Sequence, residues 1–351
     1  MAEVCLGFIV LGLTAYGVLG GADFGAGFWD LTAGGARRGG RIRGLVQRSM
    51  SPVWEANHVW LIFVLVIAWT AFPVAFGAIF TTLIVPLFLG ALGIILRGTA
   101  FALRGQAATI REARALGATF ALSSVLVPFC FGTVLGGIAS GRVPAQDPAA
   151  DTDAWLNATS ITIGVLAVLS GAYLAAVFLA GDARRAQLPD LERAFRARAL
   201  GAGAVTGVGA LVALLIVRSD ARALFDGLTS GGGLAAIVIS ALAGVATLAL
   251  VWTSRFELAR GTAAVAVAAV IAGWVVANRP DLLPGELTID EAAASNATLT
   301  ALVVSIGIGL LILVPSLAYL YRLVLQGRLD QAYEPLDQRF RPLDGGDEER
   351  G

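Results

Sequence analysis

Trp54-Glu55-Ala56-Asn57-His58-Val59-Trp60-Leu61 sets a carboxylate, an amide, an imidazole and two indoles at the head of an apolar run that continues through Ile62 to Phe72. An acid at the start of a segment built for hydrocarbon is a functional hypothesis by default. The ionised form is expensive in a bilayer and must find a partner or hold a proton. The rest of the chain has to be read for what could meet Glu55.

The composition defines the setting. Of the 351 residues, 57% are hydrophobic and 14% charged, and mean hydropathy is +0.79. Soluble domains carry roughly 25% charged residues. Apolar runs of about the length needed to cross a ~30 Å hydrocarbon core recur from end to end, which identifies an integral membrane protein and leaves no room for a large soluble domain. Every basic residue is arginine. His58 is the only histidine, Met1 and Met50 the only methionines, Cys5 and Cys130 the only cysteines. Haem iron is held by His, Met, Cys or Tyr, and a bis-axial b-type haem needs two strong ligands. No redox centre bound by this chain is expected. The cysteines, in apolar surroundings, read as small hydrophobes. The first apolar run lacks a cleavage pattern and reads as a retained helix.

In chain order, nine helices are expected. The first spans about Val4 to Phe28 and carries Asp23 among glycines and alanines, small residues that let neighbours approach and cover an acid. A linker with Arg37, Arg38, Arg41, Arg43 and Arg48 follows, cytoplasmic by the positive-inside rule. The second and third helices, about Val53–Phe72 and Val74–Leu96, meet at an uncharged turn, and the third leaves the membrane through Arg97 to Arg104. The fourth, about Ala115–Ile138, contains Pro128, tolerated where neighbours re-satisfy the freed carbonyl. An acidic outer loop leads to the fifth, about Leu156–Ala180, which returns to an arginine-rich inner loop. The sixth to eighth cover about Ala199–Val217, Leu234–Trp252 and Thr262–Ala277. An acidic outer segment, 279–297, precedes the ninth, about Leu299–Leu320, and a polar tail that reads as poorly ordered. The N-terminus is then outside and the C-terminus inside, with Asp23 and Glu55 towards the cytoplasmic half.

Glu55 has two readings. It carries protons if partial burial brings its pKa towards neutrality, or it is a helix-start acid stabilised by the dipole and by an arginine of the first inner loop. Asp23 is either functional or one half of a buried pair with Arg97. Asp30, nearer the helix end, reads as a solvated interfacial carboxylate. His58, three residues after Glu55 on the same helix face, shares a proton route or is a hydrogen-bonded structural residue. Trp54 and Trp60 read as interface-belt aromatics. The glycine strings fit no phosphate-cradling loop.

These strings resemble a known family. Gly21-Ala22-Asp23-Phe24-Gly25-Ala26-Gly27 is similar to Gly-Phe-Asp-Phe-Gly-Val-Gly in the first helix of subunit II of the cytochrome bd-type quinol oxidases. Trp54-Glu55-Ala56-Asn57-His58-Val59-Trp60-Leu61 is similar to that family's Trp-Asp-Gly-Asn-x-Val-Trp-Leu. Arg97 and Arg104 fall where it has two arginines closing the third helix. Phe131-Gly132 with Leu135-Gly136, Gly171-Ala172-Tyr173-Leu174, Leu287-Thr288-Ile289 and Pro315, Tyr319, Gly327 and Arg328 continue the likeness in order.

The resemblance implies two four-helix bundles plus one peripheral helix: 1–140 as the first bundle, 141–277 as the second, 278–351 as outer loop, last helix and cytoplasmic tail. It implies a partner, subunit I, that holds the b and d haems and oxidises quinol, with small accessory subunits in some members, in the bacterial cytoplasmic membrane. The acid of the Trp-Asp-Gly-Asn string is assigned there to a cytoplasmic proton path, a role that passes to Glu55 with Asp23 and His58. Trp54, Asn57, Trp60, Arg97 and Arg104 are structural or interface residues in this reading. There are departures: Glu stands for Asp at 55, Ala56 for glycine, Ala102 for an acid, Gly137 for asparagine. The rival reading is a secondary transporter with an intramembrane carboxylate site.

Overall fold

A backbone in hydrocarbon must satisfy its own hydrogen bonds, so apolar runs of this length fold as helices. The computed structural model describes residues 1–34, 36–50, 54–104 and 106–326. Among them, nine helices are long and apolar enough to span a membrane. The spanning helices are α1 (Ala2–Leu31), α3 (Trp54–Ala71), α5 (Ile84–Arg104), α6 (Ile110–Ala139), α7 (Ala158–Arg185), α8 (Pro189–Asp220), α10 (Gly231–Trp252), α11 (Phe256–Asn278) and α13 (Asn296–Leu325). Between them lie α2 (Ala36–Met50), α4 (Pro73–Thr82), α9 (Arg222–Leu228) and α12 (Ile289–Ala292), with a two-stranded antiparallel ribbon of β1 (Asp281–Leu283) and β2 (Leu287–Thr288).

Several elements differ from the sequence expectation. The first inner linker is a helix, α2, whose Ile42, Leu45, Val46 and Met50 are buried in the core while Arg41 and Arg48 are exposed. The third apolar run is two helices, broken between Thr82 and Ile84, with Pro86 in the first turn of α5 where proline is tolerated. Arg97 and Arg104 do not leave the bundle; both are inside α5 and buried. The fourth and fifth spans run longer than their apolar cores, and each begins at a capped polar turn, with Asn157 accepting from the Ser160 amide at the start of α7. Thr109 and Glu112 form a capping box at the start of α6. The outer segment is ordered: Thr288 and Glu291 cap α12, and hydrogen bonds from Thr288 hold the Glu291 carboxyl below the usual carboxylate range. Val53, Gly327, Arg328 and the tail lie outside the described residues.

α1 packs against both α6 and α7, and α7 also against α8 and α11, so the helices drawn from the two halves of the chain share a broad seam. α13 packs on α1 and α3. Contact across the seam depends on small residues. A Cβ on Gly25 of α1 would overlap the Gly171 carbonyl of α7, and one on Gly132 of α6 would stand 2.6 Å from Gly164 Cα. Pro128 and Pro315 both lie within continuous helices.

Gly25→Ala therefore has backbone, not a movable side chain, in its way, and should destabilise the protein by about 1–3 kcal/mol or more, as overpacking does. Gly7→Ala, with nothing within 4 Å of the new methyl, should be neutral or slightly stabilising. Thermal melting of the two purified variants checks the contrast; equal stability would show that the seam is not tight.

Candidate functional site

The site begins with an irregularity in α1. Residues Tyr16–Gly20 form a π-turn, a local widening that frees a carbonyl and often occurs at functional positions. The carbonyl of Leu19 in this turn accepts from Asn57 Nδ2 at 3.3 Å, and Asn57 Oδ1 accepts from the Tyr321 hydroxyl at 3.0 Å. α1, α3 and the last helix are thereby tied at one level.

Four residues beyond Leu19, Asp23 meets Arg97. Arg97 Nη1 donates to Asp23 Oδ2 at 2.8 Å, Nη2 to the Asp23 carbonyl at 3.3 Å, and Nε to Ser124 Oγ at 2.9 Å. The guanidinium lies between two rings, 4.7 Å from the Phe24 centroid and 4.9 Å from that of Phe120. Arg97 is 1% exposed. Delocalised charge, planar shape and weak hydration suit arginine to this burial better than lysine. Of the two readings of Asp23, the pairing with Arg97 is present, yet among the described residues Asp23 Oδ1 has no hydrogen-bond partner, and Asp23 lines a cavity of about 640 Å³.

A second rung repeats the first. Asp30 lies seven residues after Asp23 and Arg104 seven after Arg97, and they pair at 2.9 Å with the same 74-residue separation. Seven residues are two helical turns, about 10.5 Å. Because α1 and α5 both run towards the arginine-rich side, the rungs match in register, with α6 packed against both helices. Arg43 of α2 donates to the other Asp30 oxygen at 2.8 Å and to the Gly34 carbonyl at 2.7 Å. The expectation of a solvated Asp30 is thus corrected. The carboxylate is buried because two cations distant in sequence converge on it. The identical spacing of the two acids and the two arginines was the available signal.

The residues of the opening stretch diverge. Glu55 is exposed and, among the described residues, makes no hydrogen bond or ion pair, so the helix-start salt bridge to an inner-loop arginine is absent from them. His58 turns inward. Its Nδ1 lies 3.4 Å from the Tyr16 hydroxyl, and its ring is boxed by Tyr16, Phe24 and Trp54 at centroid distances of 6.0, 6.0 and 6.4 Å. Trp54 packs on Phe101 at 5.3 Å. Trp60 is buried against Phe63, so it serves packing rather than an interface belt. Asn57 is buried. Sequence reasoning missed Tyr321 as its partner; they are 264 positions apart.

Another charged group lines the cavity on the arginine-rich side. Arg260 donates to Asp182 Oδ1 and to the Phe178 carbonyl, each at 2.6 Å, and Arg185 bridges Asp182 and Glu257.

The fold and site define a multi-pass membrane protein with buried acid–arginine pairs at one end of its helices. The model of the cytochrome bd terminal oxidase subunit II family matches residues 1–324, and the chain belongs to that family. It is 22% identical over 338 residues, 93% of this chain and 95% of the relative, to a Bacillus subtilis (strain 168) protein described as a candidate cytochrome bd menaquinol oxidase subunit II. It also resembles a chain of the bd oxidase structure from Geobacillus thermodenitrificans, with a TM-score of 0.73, 28% identity, and coverage of 93% of this chain and 98% of that one. Family membership makes the protein a subunit of an oxidoreductase and implies a subunit I partner.

Removing Asp30 strands Arg43 and loosens Arg104, and breaking such a buried pair costs about 3–5 kcal/mol. Asp30→Ala should therefore raise amide hydrogen exchange across α2 well above that in α10, which is far from the change. Unaltered exchange in α2 would show that Asp30 does not hold it.

Proposed function

We propose that this chain is the haem-free subunit II of a bacterial quinol:oxygen oxidoreductase, that it scaffolds the haem-bearing subunit I in the cytoplasmic membrane, and that it helps deliver cytoplasmic protons for reducing oxygen to water. In this reading residues 1–140 and 141–277 supply the two bundles, and 278–351 the outer loop, peripheral helix and tail. The b and d haems and quinol oxidation lie with the partner. Glu55, Asp23 and His58 serve the proton path.

The observation that carries the reading is the face on which Glu55 stands. Ile62, Val66 and Trp69 follow it at intervals of seven, four and three residues, one stripe of α3, and they are 59%, 48% and 66% exposed. An apolar outward stripe suits lipid or another membrane protein. A carboxylate at its end, with no partner in its own chain's described residues, suits the second: a neighbouring subunit that brings water or a hydrogen-bonding group to it. Reduction of oxygen at a membrane-buried haem consumes protons, and an ionisable group at a subunit seam can load and release them.

Haem placement is supported by donor chemistry. A bis-axial b-type haem requires two strong axial ligands, and the one histidine is enclosed by three aromatic rings with its Nδ1 towards Tyr16. Met50 belongs to the core under α2, and Met1 sits at the opposite end of the molecule. These residues do not form a facing pair.

Two outcomes are expected for the assembled two-subunit complex. Glu55→Gln should keep the haem spectrum and slow quinol-driven oxygen consumption about tenfold or more, general acid–base groups being worth roughly 10²–10⁴; unchanged turnover would make Glu55 structural. His58→Gln should leave every haem band in place, and loss of one would contradict the assignment of all haems to the partner.

A further inference from the structure

Three arginines meet around the turn from α10 to α11, and no acid answers them. Arg184, at the end of α7, donates to the Ser254 carbonyl and lies 5.9 Å from the Phe256 ring centroid. Arg196, two turns into α8, donates to the Trp252 carbonyl and lies 5.7 Å from the Trp252 ring. Arg255 is exposed in the turn itself, and its side chain bonds to nothing among the described residues. Asp182 and Glu257, the acids at this end of α7 and α11, are taken by Arg185 and Arg260. Glu192, one turn before Arg196, forms no ion pair with it. Arg184 and Arg196 cap carbonyls at the end of α10, but a helix C-terminus carries only about half a negative charge. Most of the positive charge is therefore unanswered by the described residues.

The apolar surface beside this cluster is not flat. α8 and α10 touch near their arginine-side ends, where a Cβ on Gly203 would stand 2.7 Å from Leu248 Cδ2. One turn deeper on the same two faces, a Cβ on Gly207 or on Gly244 would meet nothing within 4 Å. Two turns deeper, Ala210 and Ala241 are exposed. The helices therefore part towards the membrane interior, and α9 packs on both at the far end. The lip of this gap on α10 is a single helical stripe, Val238, Leu242, Val245 and Trp252, all exposed. Trp252, 67% exposed, stands at the arginine end, as tryptophans do at a membrane–water interface.

We propose that the gap between α8 and α10 holds one phospholipid of net negative charge, with its phosphate on Arg184, Arg196 and Arg255 and an acyl chain between Gly207 and Gly244. A guanidinium matches phosphate in shape and charge, and a basic site between membrane helices is where an acidic headgroup is held. The two halves of the site select the occupant together. A helix of another protein would fill the gap and leave the guanidiniums unmet; a free phosphate would meet the guanidiniums and leave the gap. A zwitterionic headgroup would set its ammonium among three cations. The site is remote from Glu55 and independent of proton delivery.

The test is native mass spectrometry of the assembled complex, stripped of lipid in mild detergent and titrated with phosphatidylglycerol, phosphatidylcholine or glycerol 3-phosphate. The parent should bind its first phosphatidylglycerol more tightly than phosphatidylcholine, and salt should erase the difference. Arg255→Gln breaks no contact within the described residues, and it should weaken that first phosphatidylglycerol about fivefold; adding Arg196→Gln, which keeps a donor for the Trp252 carbonyl, should weaken it about fivefold again. Gly207→Leu fills the gap without meeting protein atoms. It should weaken phosphatidylglycerol several-fold and leave the melting temperature of the stripped complex unchanged. Full affinity in the arginine variants overturns the site, and so does full affinity in Gly207→Leu, which would reduce it to a charged surface. Competition by glycerol 3-phosphate as strong as by the lipid would make it a free-phosphate site and overturn the proposal as well. A photo-crosslinking residue at Val245 in native membranes should capture lipid; a polypeptide adduct would assign the gap to a partner helix instead. Where a variant fails to assemble, the parent decides, since equal affinity for the two lipids contradicts the proposal.

Discussion

A guanidinium 1% exposed within a membrane-spanning helix must be given its counter-charge and its hydrogen bonds by the protein. For Arg97 these come from Asp23, Ser124 and the rings of Phe24 and Phe120. The requirement reaches outward. Asp23 must lie deep enough in α1 to meet it, which brings the glycine-rich face of α1 against α6 and α7. The second rung, Asp30 with Arg104, fixes the rotation of both helices, since a pair at one level permits twisting and two pairs a double turn apart do not. Arg43 then draws α2 under the bundle. Buried ion pairs are weak evidence for net stability, because desolvation offsets much of the attraction. Their value here lies in register: a helix that slips strands two charges at once.

Much of the fold was legible in the sequence because hydropathy reports burial in lipid directly. The nine spans and the arginine-rich ends could be read in this way, and the pairing of Asp23 with Arg97 was one of the two readings that Asp23 left open. What escaped reading was set by partners distant in sequence. Nothing local distinguishes Asp30 as buried; its cations come from positions 43 and 104. The break at Leu83 leaves only a faint trace in an apolar run, Thr81-Thr82 just before it and Pro86 just after. Helix α2 was obscured by its arginines, although Ile42, Leu45, Val46 and Met50 mark one face at helical spacing. The Tyr321–Asn57 contact joins opposite ends of the chain.

The candidate site divides in a way the sequence did not suggest. Glu55 and His58 share a helix and stand three residues apart, yet one faces out of the chain and the other into an aromatic box. Asp23 faces neither and borders a cavity. The opening stretch is therefore a junction. Its acid stands on an exposed face of α3, its imidazole and Trp54 fill the space between α1 and α5, and Asn57 couples the π-turn to the last helix. This arrangement suits a subunit whose chemistry is completed by its neighbour. The ion ladder gives a rigid frame, and the groups able to handle protons are at its edges.

The claim that the Asp23–Arg97 pair organises the frame is tested most directly by a double-mutant cycle on the assembled complex, with thermal stability as the measurement. Asp23→Leu and Arg97→Met alone should each cost about 3–5 kcal/mol, because each leaves a charge buried without its partner. The double variant should recover most of that loss, a strongly non-additive result. Additive losses, or single variants as stable as the parent, would contradict the account.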